Sequence, residues 1–127
     1  MKLPFPCCPA GYKCRGAASP AEAWDILSSG EAVGLLLCKV VESLEDRLIE
    51  RVVKRFPDIP VVVWGAQPIP TFMEALRKGA YDYLDLPFER DQLLVIIRRA
   101  LEYRRLKLEN REYQARLEKL ANEGIHG

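Results

Sequence analysis

Apolar positions change their period several times along this chain, and each change marks a strand or a helix. Residues 34–40 are apolar without alternation, as a strand covered by helices on both faces should be. Residues 43–56 then carry Leu44, Leu48, Val52 and Phe56 at four-residue spacing, which predicts a helix. Pro57 and Pro60 bracket a turn into residues 61–65, a β-branched run that reads as a buried strand. Thr71 with Glu74 offers a capping box for a helix ending at Gly79; residues 81–84 form the last strand, and Pro87 closes it. Upstream, residues 12–16 have the length of a short strand, and the next helix has a clear start signal. Ser19 serves as N-cap, Pro20 takes the first helical position, Glu22 completes an S-x-x-E box, and Gly30 ends the helix.

From Phe88 no proline or glycine interrupts the chain until Gly124, so one long helix is expected, with Leu93, Ile96, Ile97, Ala100 and Leu101 facing the sheet. Beyond Ala100 the apolar pattern narrows to a seam. Tyr103, Asn110 and Leu117 recur every seven residues, as do Leu106, Tyr113 and Leu120, which makes an a/d coiled-coil repeat. At 1.5 Å per residue a helix over residues 88–121 runs roughly 50 Å, longer than a small domain can cover, so its end should project. Asn110 at an a position favours one register and two strands, at some expense of stability. The charged residues Arg99, Arg104 and Arg111 leave open a simpler reading, a solvated extension of the last helix. Strands alternating with helices imply a parallel sheet with right-handed crossovers, hence a doubly wound α/β domain. The expected organisation is a leader over residues 1–10, an α/β domain over 11–102, and a helical extension and tail over 103–127.

Composition narrows the function more than the fold. With 127 residues, 49% of them hydrophobic, one domain with one real core is expected. A formal net charge of +1 gives no basic field of the kind that phosphate backbones require, so nucleic acid is not an expected partner. The longest apolar runs, 34–38 and 61–66, are too short to span a bilayer, and the proline-broken start lacks the apolar core of a signal peptide. No membrane contact is expected, and the cytoplasm is the expected compartment. Cys7, Cys8, Cys14 and Cys38 are then thiols. They lack the paired C-x-x-C spacing of a zinc site, and the single histidine, His126, stands at the far end, so no metal or other cofactor is expected.

The stretch Pro57-Asp58-Ile59-Pro60-Val61-Val62-Val63, followed by Ala75-Leu76-Arg77-Lys78-Gly79-Ala80-Tyr81-Asp82-Tyr83-Leu84 and by Pro87-Phe88, resembles the second half of a response-regulator receiver domain. Upstream, Gly11-Tyr12, Ala17-Ala18-Ser19 and Glu22-Ala23 resemble the family's second strand and second helix, so the likeness covers residues 11–105. The run from Arg104 to Tyr113 resembles the linkers that follow receivers in multidomain regulators. The resemblance implies a flavodoxin-like, doubly wound parallel sheet and a role in two-component phosphorelay signalling. It also implies where phosphate chemistry would sit, and there this chain departs from the pattern. Leu35-Leu36-Leu37-Cys38 matches the third strand, and Cys38 takes the position of the phosphoacceptor aspartate. Gly65 replaces the family's Ser/Thr, Leu86 replaces its lysine, and the acidic pair that holds Mg²⁺ is missing. Tyr83 falls at the aromatic switch position, where Gly65 leaves it without a hydroxyl partner; packing against the last helix is its expected role. A cis peptide bond is expected at Pro87. Mg²⁺ needs oxygen ligands and an acyl phosphate needs a carboxylate nucleophile flanked by cations, none of which Cys, Gly and Leu supply. Asp82, Asp85 and Glu42 lie near the same strand ends but read as solvated loop acids.

Ten residues precede Gly11, too few for the family's first strand and first helix. That strand is central in the family's order, so its backbone partners would be orphaned. Either residues 2–5 fill the gap, which Pro4 and Pro6 make difficult, or the second strand pairs directly with the third and leaves an exposed face that invites dimerisation. The expected function is a phosphorylation-independent pseudo-receiver, not an enzyme, that forms a homodimer or docks on a sensor kinase or another signalling protein. The alternatives are an atypical response regulator in a phosphorelay and, third, a thiol redox protein using Cys38, for which no neighbouring base is placed to lower the thiol pKa.

Overall fold

In the computed structural model, which describes residues 15–17, 19–39 and 48–124, strands and helices alternate as the apolar periods predict. The order is α1 (Pro20–Ser28), β1 (Leu36–Lys39), α2 (Leu48–Arg55), β2 (Val61–Gly65), α3 (Ile69–Arg77), β3 (Asp82–Asp85) and α4 (Arg90–Gly124). Among the described residues the three strands form one parallel sheet in the order β1-β2-β3. Cys38 is in register with Val63 and Val63 with Tyr83; Lys39 stands beside Trp64 and Trp64 beside Leu84. The expected strand over residues 12–16 lies largely outside the described residues, and Arg15 and Gly16 are in no strand. The leader over residues 1–10, Leu44 and Glu42 also lie outside them.

β2 is buried at all five positions, which its β-branched sequence requires. Its alternation feeds two apolar layers. Val61 and Val63 meet Ala23 and Leu27 of α1, Leu48, Ile49 and Val52 of α2, and Phe72 and Ala75 of α3. Val62 and Trp64 face the other way, toward Leu93, Ile97 and Ala100 of α4. The fold is thus doubly wound, with three helices on one face and α4 on the other. On the α4 face Leu35 and Leu37 are only partly buried, and β1 has β2 as its one ladder partner among the described residues. No described helix is long and apolar enough to cross a membrane.

Helix ends follow local chemistry. Ser19 caps α1, its hydroxyl accepting the Glu22 N–H at 3.1 Å, with Pro20 just inside the helix. α3 starts two residues before the expected Thr71 box: its N-cap is Pro68, with no side-chain cap, and Thr71 is already helical. Pro70 explains the shift, because its ring fixes a helical φ and its missing N–H costs nothing in the first turn. The Pro68 carbonyl accepts the Thr71 N–H at 3.0 Å. Gly79, after α3, has φ +117°, and a Cβ there would stand 2.8 Å from Cγ2 of Val53. Gly79→Ala is therefore expected to cost about 1–3 kcal/mol from backbone strain, with the α2 contact adding to it, read as a lower denaturation midpoint.

Candidate functional site

Parallel strands place their C-terminal ends on one rim, so the register brings the positions singled out in the sequence to a common edge. Cys38 ends the buried part of β1 at 6% exposure, with its Sγ 3.8 Å from the Lys39 carbonyl. Gly65 ends β2, and its buried carbonyl accepts the Leu86 N–H at 2.9 Å, carrying the ladder one step past β3. Leu86 packs with the α4-side apolar layer, and the Leu86–Pro87 peptide bond is cis. Asp85 is exposed, and Asp82 accepts the N–H of Tyr83 at 2.7 Å through its own carboxylate, a local backbone contact. Among the described residues no group of His, Cys, Asp or Glu is arranged to hold a metal ion. The rim thus joins a buried thiol, a glycine carbonyl and a partly buried leucine.

Tyr83 does not pack on the last helix. Its ring stacks on Phe72 of α3, with centroids 4.6 Å apart and planes 20° from parallel, on the three-helix side of the sheet. Leu84, the next residue, is the one that faces α4. A flat stack on a fully buried ring holds Tyr83 by packing, which suits a structural side chain.

α4 is the other candidate site. Its 35 residues run roughly 50 Å. One side is a stripe at alternating four- and three-residue steps: Leu93, Ile97 and Ala100 against the sheet, then Arg104, Lys107 and Arg111 beyond it. The seam side carries Tyr103, Leu106, Asn110, Tyr113, Leu117 and Leu120, all exposed, from 44% at Tyr103 to 63% at Leu120 among the five apolar members. Arg105, on the side of the helix away from both, bridges Glu102 and Glu109 on the preceding and following turns. The hydrogen bond from Arg105 holds the Glu102 carboxyl below its ordinary value, with the guanidinium charge acting in the same direction.

The sequence reading missed the contacts that tie this helix to the domain. Lys107 donates to the Pro57 carbonyl at 2.8 Å, and Arg111 pairs with Asp58, across 50 and 53 residues of chain. The Tyr103 ring lies 5.0 Å from that of Tyr81. The signal was the stripe itself: cations that continue an apolar stripe in phase leave the helix on the side that faces the same domain.

No family model matches the chain. It is similar to an NtrX-like response regulator of Rickettsia typhi, with 33% identity over 111 residues, 84% of this chain and 23% of that protein. It is also similar to DctD, the C4-dicarboxylate transport transcriptional regulatory protein of Rhizobium meliloti, with 35% identity over 119 residues, 91% of this chain and 25% of the relative. The chain thus spans 23–25% of the length of these relatives. Among solved structures, the receiver domain of NtrX from Brucella abortus superposes with a TM-score of 0.66 at 31% identity, over 72% of this chain and 80% of that one. A CheY-like receiver domain from Methanospirillum hungatei, at 22% identity and a TM-score of 0.67, covers 76% of this chain and 79% of its own and shares the fold.

Proposed function

The chain belongs to the receiver-domain family of response regulators, and from that premise we propose that it acts as a phosphorylation-independent pseudo-receiver, a signalling module that pairs with a second copy through α4. The observation that carries this reading is the rim of the sheet. Cys38 is buried in an apolar layer, Gly65 has no side chain, and Leu86 is packed into the opposite layer. Phosphoryl transfer is catalysed almost wholly by positioned charge, and these three positions offer none. A thiol also forms no acyl phosphate, which requires a carboxylate. The exposed seam of α4 supports the second half of the reading, since apolar residues repeated every seven positions on a projecting helix are best covered by the same surface of another copy. A sensor kinase or another signalling protein is the further partner that family membership suggests. The role is one of binding and presentation, not catalysis.

Restoring the acceptor alone tests the breadth of the loss. Cys38→Asp is expected to take up no phosphoryl group from acetyl phosphate and Mg²⁺, read by intact mass, because the hydroxyl and lysine positions remain Gly65 and Leu86. Mg²⁺-dependent uptake by the unaltered chain would contradict the reading; uptake by the variant alone would contradict the claim that the loss extends past Cys38.

A further inference from the structure

The seam says that α4 can pair, but not how the two domains would then stand. The residues that decide this lie on a different side of the helix. At about 100° per residue, the direction of Lys107 and Arg111 is roughly a quarter to a third of a turn away from the centre of the seam formed by Leu106, Asn110, Tyr113 and Leu117. A helix held on the first side therefore keeps the second side open. Tyr103 lies between the two, its ring against Tyr81 while 44% of it stays exposed.

We propose that the Pro57–Asp58 turn, together with Tyr81, is a clamp that fixes the rotation of α4 about its own axis, so that a second copy seated on the seam is held with its domain in one defined orientation. The inference rests on the pairing reading and adds its geometry. The turn is a firm anchor. Ile59 donates to the Phe56 carbonyl at 3.0 Å, and the Pro60 carbonyl accepts the Leu36 N–H at 3.0 Å, so the turn is braced against β1 and leads straight into the fully buried β2. The Asp58 side chain is 20% exposed against 57% for Arg111, so the pair is half withdrawn from water and is screened less than a surface pair. Lys107 adds a charge-assisted bond to a backbone carbonyl one helical turn earlier. Two contacts one turn apart on the same side of the helix resist rotation about its axis. The clamp thus extends the rigid body of the domain from Ala100 to Arg111, into the second heptad of the seam.

The test uses the full chain and the double variant K107Q/R111Q, since glutamine matches lysine and arginine in helix propensity and leaves α4 intact. Nitroxides are placed through a ketone-bearing amino acid at the exposed Asp25 of α1, and the distance between copies is read by pulsed electron resonance. The unaltered chain should give one narrow distance distribution, and K107Q/R111Q should broaden it while the paired mass persists; an unchanged width would overturn the clamp. If no distance between copies is found, pairing itself fails, and amide exchange then judges the clamp in the single chain. Exchange over residues 103–111 should be about tenfold faster in the variant, the loss expected for charge-assisted bonds, and unchanged exchange would overturn it. Asp58→Asn removes the ion pair from the other side and must act in the same direction as R111Q.

Discussion

A chain carrying Leu117→Lys and Leu120→Lys is expected to sediment as a monomer at concentrations where the unaltered chain is paired. Leu117 and Leu120 are 49% and 63% exposed in the single chain, so neither contributes much to the fold, and the substitutions should leave it unchanged. In a pair, each would bury most of its remaining surface at consecutive a and d layers. Full burial of a leucine is worth about 1.5–3 kcal/mol, so four half-buried leucines per pair contribute several kcal/mol. Placing lysine in both layers also sets like charges against each other across the seam. A weakening of at least about a hundredfold in the dissociation constant follows at 1.4 kcal/mol per tenfold. Lysine is a good helix former, so the circular dichroism of α4 should hardly change. Sedimentation equilibrium on both chains reads the effect directly, and equal association of the two would remove α4 as the pairing surface.

The second large effect lies in the core. Phe72 is fully buried, stacks on Tyr83, and joins α3 to the layer that also holds α1 and α2. Phe72→Ala removes the ring from a site that cannot collapse easily, because Val61, Val63 and Ala75 around it are themselves buried parts of the sheet and helix. The expected loss is about 3–5 kcal/mol. Against the roughly 5–15 kcal/mol that holds a small domain together, this consumes a large share of the stability. At about 4–8 °C per kcal/mol for a domain of this size, the thermal midpoint should fall by roughly 15 °C or more. Thermal unfolding followed by circular dichroism checks it. A shift of only a few degrees would mean that the Phe72–Tyr83 stack does not anchor this face, and the structural role given to Tyr83 would go with it.

The order of strands and helices was legible because each element keeps its own period long enough to be recognised: the valine run of β2, the four-residue spacing of α2, the unbroken run of α4. Local chemistry misled where two signals competed. Thr71 and Glu74 make a capping box on paper, but Pro70 favours a helix that has already begun, and the chain follows the proline. Tyr83 was assigned to the wrong face because β3 has four residues, Asp82 to Asp85, with only Tyr83 and Leu84 apolar between the acids. Alternation puts those two on opposite faces without saying which faces α4. The Arg111 contact was not legible for a related reason: its partner Asp58 lies 53 residues away, beyond any local pattern. Cys38, Gly65 and Leu86 stand out only through the resemblance, since an apolar thiol, a strand-end glycine and a packed leucine carry no chemical signal of their own.

The most direct test of a phosphorylation-independent module is the self-association of the unaltered chain, measured by sedimentation with and without Mg²⁺ and acetyl phosphate, with intact mass recorded on the same samples. The account predicts one dissociation constant under both conditions and no added phosphoryl group. A Mg²⁺-dependent gain in mass, or a change in association that follows it, would contradict the account at its centre.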